Sequence, residues 1–131
     1  MKPERVAFKA HLAKPFTPGQ NQLIVFDDVR LNVGQAYHHG TFVAPYNGTY
    51  LFAVTMCSAG GHVIFVDLLR NGKMIGQVLA GDPSYAACSS ETTVVELSVG
   101  DDVIVQHHGT SGDSIYADSR VHNSFTGVLL Y

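Results

Sequence analysis

The sequence predicts an all-β antiparallel sandwich, and three observations predict it. No segment of the 131 residues sustains a 3.6-residue apolar period between helix caps. Short apolar runs recur at close spacing, separated by Gly, Pro and Asn turn signals. Asn71-Gly72 stands between two such runs, a strong hairpin signal because both central residues must take positive φ. Thirteen glycines and five prolines, spread singly, fit many turns. The length fits one domain. Hydrophobic residues make up 46% and charged residues only 15%. So few charges, against about a quarter in ordinary domains, suggest that surface is buried twice, in the core and against another chain.

Charge and hydropathy exclude some classes. Eight basic and eleven acidic residues give a net charge of −3, with no basic cluster for nucleic acid. No apolar run is long enough to span a membrane; no signal-peptide pattern opens the sequence, which does not argue against secretion.

Taken in order, residues 1–5 read as a leader and 6–131 as the globular domain. Residues 8–12 fit a first strand. Pro15, Pro18 and Gly19 mark a loop over 15–22, and Leu23-Ile24-Val25-Phe26 fits a short strand. Asn32-Val33-Gly34 and Pro45-Tyr46-Asn47-Gly48 are turns on either side of a short strand. Tyr50-x-Phe52-x-Val54 then alternates as a half-buried strand does. Ser58-Ala59-Gly60-Gly61 is a turn. In the hairpin over 63–79, pairing Arg70 with Lys73 puts Ile64, Val66, Leu68, Ile75 and Leu79 on one face. Phe65, Leu69, Met74 and Val78 fall on the other. Two largely apolar faces suggest that one of them meets a second chain, a loop laid over one face being the alternative. Residues 81–90 read as a polar loop, 92–97 and 103–106 as strands, 107–114 as a loop, 115–117 as a short extended piece, and 125–131 as the closing strand.

Phe26, Asn32 and Tyr37, followed by Phe42, Gly48, Tyr50 and Phe52, resemble the signature of the complement C1q globular-head family. Four residues separate Tyr37 from Phe42 where the family usually has six, so that loop is short. Val6-Ala7-Phe8-Lys9-Ala10, Leu69-Arg70-Asn71-Gly72, Leu97-Ser98-Val99-Gly100-Asp101-Asp102-Val103 and the run from Ser124 to Tyr131 are similar to further family segments. The resemblance implies a ten-stranded antiparallel jelly roll, shared with tumour necrosis factors, that assembles as a homotrimer. It also implies secretion and non-covalent recognition, with no enzymatic activity. No Gly-X-Y collagen run is present. Stand-alone members, common in bivalve molluscs, act as lectin-like recognisers of microbial glycans and lipopolysaccharide in innate immunity. The alternative is a cytokine-like or adhesive ligand for a cell-surface receptor protein.

The two cysteines, Cys57 and Cys88, permit one disulfide or two free thiols. The family's topology sets their strands side by side, which implies a bridge. Some members hold calcium with two aspartates. Asp82 matches the first position, but Ala87 stands near the second, so calcium is a candidate at Asp82 only. Seven histidines include the pairs His38-His39 and His107-His108. Adjacent strand residues point to opposite faces, so such a pair does not chelate by itself. Solvated loop histidines are the simpler reading, with metal binding and pH sensing the functional ones. No nucleophile elbow or catalytic constellation is present. Asn47-Gly48-Thr49 is a glycosylation sequon that places a candidate glycan on Asn47. Loops 80–88 and 107–114 are the expected recognition surface. There Tyr85 would stack on a sugar, Asp82 and Asp113 would accept hydroxyl hydrogen bonds, and His107 and His108 would do either.

Overall fold

A computed structural model describes residues 4–109, 113–118 and 120–131. Residues 1–3 of the expected leader and 110–112 of the expected recognition loop lie outside the described residues. The strands are β1 (Ala7–His11), β2 (Asp28–Val33), β3 (Tyr37–His38), β4 (Thr41–Val43), β5 (Gly48–Ser58), β6 (Val63–Arg70), β7 (Lys73–Gly81), β8 (Ala87–Leu97), β9 (Asp102–His107) and β10 (Ser124–Leu129). They form two antiparallel five-stranded sheets, ordered β2-β1-β10-β5-β8 and β3-β4-β9-β6-β7. The all-β ten-stranded architecture is the one expected from the sequence.

The aromatic signature becomes the core between the sheets. Phe8 stacks on Tyr37 with ring centroids 4.6 Å apart and meets Phe125 edge-on at 4.9 Å. Phe42 packs edge-on against Tyr50 and Phe52. Gly127 sits in register between Phe8 of β1 and Phe52 of β5. A Cβ there would collide with both rings. The missing side chain is therefore what lets the rings close over β10. Gly48 has a similar reason: a Cβ would come within 2.7 Å of Leu129 Cδ1 and 2.8 Å of the Tyr131 carbonyl oxygen.

The spacing Phe26–Asn32–Tyr37 is a clasp. The Tyr37 hydroxyl donates to the Phe26 carbonyl at 2.7 Å inside the core. Burial pushes this phenol up to about 12. The Asn32 side-chain amide donates to the Tyr37 carbonyl at 2.9 Å, and its oxygen accepts the Tyr37 N–H at 3.3 Å. One side chain thus bridges the turn through Gly34, whose φ is +90°.

The structure corrects the sequence reading at four places. Residues 23–26 form no ladder strand. Ile24 and Phe26 are fully buried, so the alternation is real, but the segment reaches β9 only by a bridge from Leu23 to Gln106 and a bond from Ile24 N–H to the Val105 carbonyl. The ladder strand is β2 instead. Second, β8 begins at Ala87 rather than 92, pairing with β5 from Ser58–Ala87 to Gly48–Leu97. Polar Ser89 and Ser90 hide it from an apolar-pattern search. Third, a bulge follows Leu68 in the β6–β7 register: Leu68 faces Gly76 and Leu69 faces Met74. The extra residue reverses the facing of the rest of β7. Val78 and Ala80 enter the core, while Leu79 is 58% exposed. Fourth, the outer face of this hairpin is not wholly apolar, because buried Asp67 stands in it between Gln77 and Gln106.

Cys57 and Cys88 are register partners joined by a disulfide, with a Cα–Cα distance of 4.0 Å and a sequence separation of 31. The outer face of the first sheet carries an unbroken row of Val33, Ala7, Val128, Leu51 and Val94, none of them buried within the chain.

Phe52→Ala should cost about 3–5 kcal/mol, since the ring is fully buried and the glycine beside it cannot fill the cavity. Urea unfolding measures this; a loss under about 1 kcal/mol would mean that the ring is not part of the packed core.

Candidate functional site

The open end of the β6–β7 hairpin, where Val63 pairs with Gly81, forms one wall of a groove. The β5–β6 turn supplies Gly61 and His62, and the β7–β8 loop supplies Asp82 and Pro83. Leu79, Ala87, Cys88 and Ser89 complete it, enclosing about 690 Å³. This size falls within the usual range for small-molecule sites. Two backbone contacts hold the loops together. Gly61 N–H donates to the Asp82 carbonyl at 3.0 Å, and Gly60 lies so close to the Ser84 carbonyl oxygen that a Cβ would stand 2.7 Å from it. The Asp82 carboxylate caps its own loop: Oδ1 accepts the N–H groups of Ser84 and Tyr85, both at 2.8 Å. These bonds hold the carboxyl below its ordinary range. Tyr85, two residues from either side of the groove lining, is 76% exposed. The structure thus brings Asp82 and Tyr85 together at the surface.

None of the other three expected residues lines the groove. His107 is fully buried and Asp113 is 8% exposed. His107 Nδ1 donates to the Gly19 carbonyl at 2.7 Å, and Nε2 pairs with Asp113 Oδ2 at 2.8 Å. This pair ties the β1–β2 loop, β9 and the segment after it into one unit. The expectation of a surface ligand contact is corrected for both residues. The physical cause is alternation: β9 runs one residue further than expected, so His107 follows Val103 and Val105 to the inner face. That signal was available in the sequence. His108 points outward with its side chain 56% exposed. Its Nδ1 lies 2.7 Å from Asp67 Oδ2, and its ring centroid is 4.8 Å from that of Phe65. Gln77 donates to the other Asp67 oxygen at 2.9 Å. Asp67 and Gln77 were not among the expected residues, because a lone Asp inside an apolar strand gives no pattern.

Calcium does not fit Asp82. A calcium ion takes six to eight oxygens, and among the described residues no second carboxylate lines the groove. Among the described residues no three His, Cys, Asp or Glu side chains are placed to hold a metal ion together. Asn47 is exposed, and its side-chain oxygen accepts the Val99 N–H at 2.8 Å.

A second polar pocket, about 160 Å³, opens beside the ends of β1 and β2 and is lined in part by His11, Asp28, Arg30, Asp118 and His122. Arg30 donates to Asp28 at 2.7 Å and lowers its carboxyl pKa. Backbone bonds from Arg120 and Val121, with the Tyr116 hydroxyl, do the same for Asp118. Burial lowers the pKa of His11, and the nearby positive charge of Arg30 adds to this.

The C1q domain profile matches residues 7–130. The chain belongs to the C1q family. Its C1q domain is 33% identical over 135 residues to a protein of Mytilus edulis named heavy metal-binding protein HIP, a match covering 99% of this chain and 62% of that protein. It is 29% identical to the mouse collagen alpha-1(X) chain, covering 95% of this chain and 18% of the collagen. The chain therefore spans less than two thirds of each relative. Among solved structures, the globular domain of zebrafish complement 1qA superimposes with a TM-score of 0.79 at 19% identity, covering 96% of this chain and 98% of that one. Eiger, a tumour necrosis factor of S. frugiperda, gives a TM-score of 0.72 at 15% identity over 98% and 94%. At these identities the likeness concerns the fold alone. Among the described residues no helix is long and apolar enough to cross a membrane.

Replacing His107 with Ala in this C1q domain should cost about 1–3 kcal/mol, because the Gly19 carbonyl and the buried Asp113 carboxyl lose their partner. Urea unfolding checks it; an unchanged midpoint would place His107 outside the packed structure.

Proposed function

We propose that this C1q domain is a secreted, non-catalytic recognition module that acts as a homotrimer and binds microbial surface glycans at its loop end. The observation that carries this reading is the groove beside Tyr85. Leu79, Val63 and Pro83 offer apolar faces for a sugar ring, and Asp82, His62 and Ser89 offer polar groups for its hydroxyls. Tyr85 supplies an exposed ring for stacking. Hydrogen-bonding groups beside apolar surface suit a saccharide, which has both characters. The disulfide supports an oxidising compartment, and in such a compartment Asn47 is a candidate glycan carrier.

The trimer reading rests on the row from Val33 to Val94 across the first sheet, a low-charge surface suited to a second copy. Light scattering should then give about three times 14.1 kDa, and Leu51→Glu in the middle of that row should shift the mass towards one chain. A parent protein that stays monomeric at micromolar concentration would end this reading. In a trimer, three weak sites act together by avidity. A glycan array tests the ligand. Tyr85→Ala should weaken binding at least tenfold with the assembly intact, and unchanged binding to every glycan that the parent binds would remove the groove.

A second reading, metal binding, has a specific observation behind it: the mussel relative is named for binding heavy metals, and this chain has seven histidines. The cytokine-like reading has the fold alone in its favour.

A further inference from the structure

His11 lies at the end of β1, where it pairs with Asp28 of β2 on one side and Ser124 of β10 on the other. It is 9% exposed, and its Nδ1 is a buried side-chain nitrogen without a hydrogen-bond partner. Native structures rarely leave such an atom unsatisfied, and a bound water or ion is the usual explanation when they do. The ring of His122 stands beside it, with centroids 4.9 Å apart and planes at 60°. Both residues line the polar pocket that also holds Asp28, Arg30 and Asp118.

Two imidazoles on one tetrahedral ion, each with a metal–nitrogen bond of about 2.0–2.1 Å, place their ring centroids roughly 5 Å apart. The observed separation matches that geometry. Imidazole is a ligand for copper, zinc and nickel rather than for calcium. The pocket is large enough for an ion with its remaining waters; the Asp118 carboxylate adds negative charge at its rim, while that of Asp28 is paired with Arg30. Among the described residues no three candidate ligands have already converged, so water would complete the coordination.

We propose that His11 and His122 form a two-imidazole site for a divalent transition-metal ion, copper or zinc, in the pocket beside the ends of β1 and β2. The proposal rests on the second, metal-binding reading and names its site. The glycan groove is separate from it, because the two pockets share no lining residue.

Calorimetric titration of the intact protein with zinc chloride, copper chloride and calcium chloride tests it. The parent should bind one zinc or copper ion per chain at this site and show no comparable calcium binding. His122→Gln, at an exposed position, and His11→Ala should each weaken zinc binding at least tenfold. The double variant His38→Ala, His39→Ala should bind zinc as the parent does. Should His11→Ala fail to fold, His122→Gln decides alone. Parent-like zinc and copper binding by His122→Gln would overturn the site while the metal-binding reading stands. Absence of zinc and copper binding by the parent would overturn both.

Discussion

The packing of Phe8 and Phe52 over Gly127 is the constraint on which the rest of the structure depends. The three residues form one row across β1, β10 and β5. Without a side chain at the centre, the flanking rings close together and draw in Tyr37, Phe42 and Phe125. Aromatic rings dominate the energetics of such a core because each removes a large apolar area from water. The same rings set the two sheets face to face, and Tyr37 then carries the order outward through its bonds to Phe26 and Asn32. A rigid centre of this kind allows the loops at the end of the sandwich to vary.

Much of this was legible in the sequence, for a physical reason. A buried aromatic in a strand leaves a period-2 mark, and a turn that needs positive φ leaves a glycine or asparagine. Asn71 and Gly72 do have positive φ, at 48° and 82°. The errors lie where backbone pairing and side-chain pattern part company. Residues 23–26 alternate because they plug the core, without belonging to a ladder. The first residues of β8 are paired without alternating, since the disulfide and the hydroxyl pair of Thr55 and Ser90 at 2.7 Å take the place of apolar contacts. The bulge at Ile75 moves one residue out of register and exchanges the roles of Val78 and Leu79, a reversal that composition cannot signal.

The candidate site was less legible, because polar residues carry no period. Asp82 and Tyr85 come together through a local turn that two backbone bonds define. His107 and Asp113 share the loop composition but serve the interior, where their bond joins separate segments. His108 differs from its neighbour only in facing the other way. The pairing of His11 with His122 depends on β1 and β10 lying side by side, a contact spanning almost the whole chain. No local motif could have indicated it.

The central claim is that recognition belongs to the loop end that this core supports, at the groove of residues 61–63, 79–83 and 87–89. The most direct measurement is a backbone-amide NMR titration of the protein with a glycan that it binds. Shift changes should cluster on those residues and on Tyr85, leaving the row from Val33 to Val94 unmoved. Changes concentrated on that row, with the groove silent, would contradict the account.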